Sequence, residues 1–201
     1  MYRKVHLIGI ALIGTVYVHS VVAQGDGPQR LGTFDDWGAY LYEGDQKLCF
    51  VMSRPTSLKS DPITAIRGNT YLMVSMRPHQ QVWSEPTIRM DYRFSPGSET
   101  TAEIGTAIFA LWTKGDSAWI KNPTEEARMI DAMHRGSVLV VKGRSTSGMR
   151  SADQYSLKGF SQAIERAAKE CRQPSTTTTT TTPNRPSQPG EPACKRYPNL
   201  C

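Results

Sequence analysis

Six short runs of β-type sequence, each closed by a turn signal, leave this chain few ways to fold. Residues 40–42, 47–52, 70–76, 87–92, 107–112 and 138–142 are rich in β-branched and aromatic side chains and bounded by Gly, Pro, Asp or Asn. Gly44-Asp45, Pro96-Gly97 and Gly115-Asp116 mark turns between them. Strands this short cannot bury a core singly and must be layered. The pattern therefore predicts a mainly β fold, an antiparallel sandwich or a partly closed barrel.

Two short helices interrupt the β pattern. Asn122-Pro-Thr-Glu125 has the form of a helix start, with Asn as cap, Pro in the first turn and Glu reaching back. Ala127, Ile130 and Met133 then predict an inward stripe, and Gly136 a stop. A second helix is expected from about Ser156 to Cys171. Phe160, Ala163, Ile164, Ala167 and Cys171 share one of its faces; Lys158, Gln162, Glu165, Arg166 and Lys169 share the other. Such a helix packs on a sheet.

The two ends differ in kind from the middle. Arg3 and Lys4 precede a nearly uncharged apolar run over 5–18, and Val21 and Ala23 put small residues at −3 and −1 of a cleavage point. Residues 1–23 thus read as a signal peptide cleaved after Ala23, and its run is shorter than the ~20 residues a membrane span needs. No other stretch approaches that length, so the mature chain is expected to lack a transmembrane segment and to be periplasmic or extracellular. Residues 24–171 read as one β-rich globular domain. Residues 172–193 read as a disordered linker, with seven threonines over 176–182 and prolines at 183, 186, 189 and 192. Residues 194–201 form a short tail bounded by cysteines.

Outside the cytoplasm the four cysteines, Cys49, Cys171, Cys194 and Cys201, suggest disulfides, and four cysteines allow three pairings. Cys49 lies in a strand-like run and Cys171 on the apolar face of the second helix, so both can enter one core. Cys194 and Cys201 share a short polar segment, where loop closure costs little entropy. Cys49–Cys171 and Cys194–Cys201 are the favoured pairs, tethering the terminal helix to the sheet. Zinc is disfavoured by the lack of C-x-x-C or of histidines at ligand spacing.

Charge argues against nucleic acid as a partner. The formal net charge of +6 includes +2 from residues 1–23 and +3 from residues 172–201, which leaves +1 for 24–171. A domain so near neutral has no global field to hold a polyanion.

Phe34-Asp-Asp-Trp-Gly-Ala-Tyr-Leu-Tyr42, Lys47-Leu-Cys-Phe50, Arg67-Gly-Asn-Thr-Tyr-Leu-Met-Val74, Gly115-Asp-Ser-Ala-Trp119, Val140-Val-Lys-Gly143 and Asp153-Gln-Tyr-Ser-Leu-Lys-Gly-Phe160 occur in that order. Together with Cys171 they resemble the invasion-associated locus B family over about residues 34–171. The resemblance implies an exported protein of alphaproteobacterial type, with a β-rich fold and a terminal helix. The family's founding member is linked to host-cell invasion, and many relatives occur in free-living bacteria. It supplies no established catalytic residues. Trp37, Cys49, Trp119, Tyr155, Phe160 and Cys171 stand at matching positions as fold determinants. The Thr-rich tail with its cysteine pair departs from the family's usual pattern.

Catalytic chemistry is thin. Without the signal, the histidines are His79, in a polar loop, and His134, near the first helix's end, where an imidazolium suits the dipole. A Ser-His-Asp hydrolase would need one of them beside an activated serine. Gly143-Arg-Ser-Thr-Ser147 lacks one glycine of the G-x-S-x-G elbow. Asp35-Asp36 reads as a solvated turn, and no phosphate loop or calcium loop is present. No catalytic, cofactor or metal site is expected.

The suggestive surface is basic. Arg135, Lys142, Arg144 and Arg150 flank one strand and its loop, with hydroxyls between, and could hold a carboxylate, phosphate or acidic sugar. Trp112 and Trp119 have alternating apolar neighbours and are expected in the core, whereas Trp83, in a polar run, is the exposed-aromatic candidate. Trp83, Lys142, Arg144 and Arg150 are the possible ligand surface. The leading expectation is an exported, non-catalytic protein that binds a protein or envelope component. A host-directed invasion or adhesion factor, with a host protein or glycan as partner, comes second and an envelope hydrolase third.

Overall fold

The structure, a computed structural model, describes residues 27–63 and 67–172. The expected signal over 1–23, all but the first residue of the expected 172–193 linker, and the tail with Cys194 and Cys201 lie outside the described residues. The strands, in chain order, are β1 (Gln29–Phe34), β2 (Trp37–Glu43), β3 (Lys47–Ser53), β4 (Ser57–Asp61), β5 (Tyr71–Arg77), β6 (Val82–Arg89), β7 (Thr101–Ile104), β8 (Ala107–Ala110), β9 (Trp112–Lys114), β10 (Ser117–Trp119), β11 (Val138–Arg144) and β12 (Arg150–Ser156). A 3₁₀ turn (Pro78–Gln80) separates β5 from β6. Helix α1 (Pro123–Arg135) precedes β11, and α2 (Phe160–Arg172) follows β12.

The strands form two antiparallel sheets and close no barrel. One is seven-stranded in the order β1-β2-β3-β5-β6-β10-β9; the other is five-stranded in the order β4-β12-β11-β7-β8. Each of the six expected runs meets a strand, although 87–92 holds only the last three residues of β6 and continues into the loop beyond it. Strands β1, β4, β7, β10 and β12 were not legible as runs, and 107–112 divides into β8 and β9 around buried Leu111.

Alternation with period two sorts the seven-stranded sheet into an inner and an outer face. Trp37, Ala39, Leu41, Cys49, Val51, Leu72, Val74, Met76, Ile88 and Ala118 are all buried on the inner face. Helix α2 crosses that face over β1, β2, β3 and β5. Its buried residues are the expected stripe of Phe160, Ala163, Ile164, Ala167 and Cys171. The Trp37 ring meets Phe160 edge-on at 4.9 Å, and its indole N–H donates to the Ser156 carbonyl at 2.9 Å. The expected disulfide joins Cys49 to Cys171, with Cα atoms 5.9 Å apart.

Both helix starts differ in detail from expectation. Helix α2 begins at Phe160 rather than near Ser156, because Gly159 (φ 88°) turns the chain so tightly that a Cβ would lie 1.9 Å from the Phe34 carbonyl oxygen. At α1 the Asn122 side chain accepts from the amides of Thr124 and Glu125, as a cap should. Glu125 does not complete the box; it turns along the helix to Arg128 at 2.6 Å. Ala127 is exposed, and the inward stripe is instead Met129 and Met133 with partly buried Ile130 and Ala132. The offset places α1 against β6, β8 and α2.

Candidate functional site

Strand register builds a basic tray on the outer face of the five-stranded sheet. Asp61 pairs with Arg150 and Arg150 with Arg144; one step along, Lys59 pairs with Ala152 and Ala152 with Lys142. Ala152 supplies a low floor between two lysines that sit two strand spacings apart, about 10 Å. The resulting shallow cavity, of about 580 Å³, is walled on one side by Ser98 and Glu99. Lys142 already pairs with Glu103 at 2.8 Å, and Arg150 with Asp61. Lys59 and Arg144 are exposed and have no ion-pair partner among the described residues. They are the cations free to meet an anionic group.

Lys142, Arg144 and Arg150 are thus brought together, and Lys59 is an addition that only β4 pairing reveals. Arg135 is not part of the tray. It ends α1, beyond the opposite end of β11, and pairs with Asp131 at 3.0 Å.

Trp83 lies elsewhere. It is 49% exposed on β6, in the other sheet, so it and the basic loop do not form one surface. The expectation that Trp112 and Trp119 are core is overturned. Trp112 is 57% exposed on edge strand β9, with the Lys121 ammonium 3.3 Å from its ring centroid, and Trp119 opposite it is half-buried. Their alternating neighbours do face a core, but the tryptophans take the other parity: Ala118 is inward and both rings are outward.

A buried ionic clamp joins the two sheets, and sequence reasoning did not single it out. Arg67 donates from Nη1 and Nη2 to Asp153 on β12, and from Nε to both oxygens of Asp91 at 2.8 and 3.0 Å. Asp91 also accepts from the Gly68 amide at 2.6 Å and from the Thr70 hydroxyl at 3.3 Å. The guanidinium lies 5.1 Å from the Tyr92 ring centroid, and the Tyr92 hydroxyl meets Ser151 at 2.7 Å. Burial pushes the Asp91 carboxyl up, but the Gly68 amide and the Arg67 guanidinium outweigh it and hold it below its ordinary value. For Asp153 burial prevails over Arg67, and its carboxyl is raised. Burial also raises the Tyr92 and Tyr155 phenols. Asp153 and the Arg67 side chain are closed off from solvent, Asp91 sits at the open edge of the cluster, and the three hold the sheets together.

The remaining polar candidates have structural partners. His134 Nδ1 lies 2.8 Å from Ser161 Oγ, and its ring packs 5.0 Å from Phe160. It clips α1 to α2 rather than capping a terminal carbonyl. Among the described residues no carboxylate bonds this histidine, so the pair lacks a triad's third member. His79 is exposed in the 3₁₀ turn. Ser145 is buried, held by Ser147 Oγ at 2.8 Å and the Met149 amide at 3.1 Å. Asp35 adopts φ 47° in the exposed β1–β2 turn, as expected there, and pairs with Lys158 at 2.9 Å.

No protein-family model matches the chain, and no curated protein does. The fold is similar to a crystal structure of invasion associated protein B from Bartonella henselae, with a TM-score of 0.50 and 15% identity over 71% of this chain and 98% of that one. Among the described residues no helix is long and apolar enough to cross a membrane.

Proposed function

We propose that this protein is an exported, non-catalytic binding module of the invasion-associated locus B type, and that its tray holds an anionic group of an envelope component. One observation carries the reading: Lys59, in register with Ala152, and Arg144, one row along beside Arg150, line the same cavity, and neither has an ion-pair partner among the described residues. Carboxylate and phosphate are the groups two such cations recognise. Being exposed, the site binds weakly alone, and its affinity falls as salt rises. The signal over 1–23, the Cys49–Cys171 bridge and the order of the matching sequence blocks support export.

Amide shifts of the isotope-labelled mature protein would test this, titrated with glucuronate, with inorganic phosphate and with phosphatidylglycerol vesicles. Shifts confined to residues 59–61 and 142–152, and absent in the Lys59→Ala/Arg144→Ala double variant, are expected. Shifts unchanged in that variant would remove the tray from consideration. The three probes separate an acidic sugar from free phosphate and from a lipid headgroup.

The likeness in fold to an invasion associated protein favours a second reading, a host-directed invasion factor. Protease treatment of intact cells separates the two. A host role needs cleavage of the chain from outside, whereas an envelope role is compatible with protection until the outer membrane is permeabilised.

A further inference from the structure

The tray occupies one end of the outer face of the five-stranded sheet. Strand β11 turns Val138, Val140, Lys142 and Arg144 to that face and buries Leu139 and Val141 beneath it. The outward positions are thus apolar where the strand starts and cationic where it ends. Lys142 and Arg144 line the tray, whereas Val138 and Val140 line a second cavity, a cleft of about 710 Å³. Val140 and Lys142 are successive outward residues, about 7 Å apart, so the two cavities meet along this strand. Each has a volume in the range that small ligands occupy.

The cleft is apolar and open. Ile104 and Ala107 from the β7–β8 hairpin and Ala132 from the end of α1 complete its apolar lining. Val138 is 42% exposed, and Ile108, which continues the Val140–Glu103 row onto β8, is 60% exposed. The charged residues of the lining, Glu103 and Arg135, pair with Lys142 and Asp131.

The backbone beneath is equally engaged. Strand β11 is central, paired with β12 on one side and with β7 on the other. Its amides and carbonyls lie within those ladders, so this face offers side chains alone. A peptide laid along it would leave its own backbone groups unpaired, a penalty that a hydrocarbon chain does not meet.

We propose that the tray and the cleft form one elongated site for a single-chain anionic lipid, its head on Lys59 and Arg144 and its chain along Val140 and Val138. The proposal rests on the tray reading and adds to it the apolar half of the ligand. Each methylene that leaves water tightens binding by about fourfold, so a short buried stretch of chain outweighs the weak exposed ion pairs.

The test titrates the full mature chain with ethyl phosphate and with octyl phosphate below its micellar concentration, read by amide shifts and calorimetry. Ethyl phosphate should shift residues 59–61 and 142–152 alone. Octyl phosphate should shift these and also residues 104–108 and 136–140, and bind at least about tenfold more tightly. Val138→Asp, an exposed substitution with an unchanged melting temperature, should abolish the octyl advantage and leave ethyl phosphate binding as it was. Equal affinity for the two phosphates, with no shifts at 104–108 or 136–140, would overturn the proposal and leave the tray standing. Octyl binding that persists in the Lys59→Ala/Arg144→Ala variant would overturn both. Octanol giving the same cleft shifts with the same affinity would overturn the joint site, since the head would then contribute nothing. Cleft shifts that grow with protein concentration alone would assign the face to a second copy. An acidic, leucine-rich peptide that binds more tightly than octyl phosphate would assign it to a protein, and either result overturns the lipid.

Discussion

Arg67 grips Asp153 with both terminal nitrogens, at 3.1 and 2.7 Å, and so joins the loop before β5 in one sheet to strand β12 in the other. The Asp153 side chain has no solvent exposure and that of Arg67 is nearly as enclosed. The desolvation of such a pair roughly offsets its attraction, so its strength shows only when one partner is removed.

Arg67→Met should therefore destabilise the domain by about 3–5 kcal/mol, because Asp153 is left buried and charged. Arg67→Met combined with Asp153→Leu should recover most of that loss. Urea denaturation of the three proteins measures both. A single-variant loss within about 0.5 kcal/mol, typical of a surface change, would mean the sheets are held by apolar packing alone.

The two carboxylates of the clamp should tilt the acid limb of stability in opposite directions. Asp91 is held below its ordinary 3.8, so the unfolded chain binds more protons there than the folded one. Its contribution is complete above that value and is lost as pH falls through the folded one. Asp153 is raised, so the fold binds the proton more tightly and its contribution declines as pH rises from 3.8 through the folded value. Asp91→Asn should flatten the fall in melting temperature as pH drops below the ordinary 3.8, and Asp153→Asn should steepen the fall in the range just above it. Parallel curves for the two variants would refute this assignment.

The clamp also marks where sequence reading stops. Apolar alternation made β2, β3, β5 and β11 legible, and helical spacing made the α2 stripe and its cysteine legible, since the buried face of each element is mostly apolar. Strand β12 broke the rule. Its inward positions are Ser151, Asp153 and Tyr155, so its pattern resembles a solvated segment. An inward carboxylate makes sense only with Arg67 in place, which is a tertiary fact. Trp112 failed for the converse reason: period two fixes which residues share a face but not which face is covered. The tray was half legible. Lys142, Arg144 and Arg150 sit close in sequence, while Lys59 joins them only through β4 pairing with β12.

Beside the clamp, the Tyr155 hydroxyl is buried and has no hydrogen-bond partner among the described residues. An unmet buried hydroxyl costs about 1–3 kcal/mol, while the ring fills core that Phe would fill equally. Tyr155→Phe should leave the fold intact and raise its stability by about 1 kcal/mol. A loss of similar size in chemical denaturation would show that the hydroxyl is satisfied in solution.

The disulfide offers the sharpest separation of packing from covalent tethering. Cys49 and Cys171 are 122 residues apart in sequence, so their bond removes a large loop from the unfolded ensemble. Chain entropy assigns such a loop about 4–5 kcal/mol. The α2 stripe would still bury Phe160, Ala163, Ile164 and Ala167 without it. Cys49→Ala/Cys171→Ala should therefore fold, with stability lowered by about that amount. Its urea m-value should rise, because the uncrosslinked chain expands further on unfolding. A raised m-value with full loss of stability locates the effect in the unfolded state. An unchanged m-value with exchange protection lost only in α2 would locate it instead in the docking of that helix.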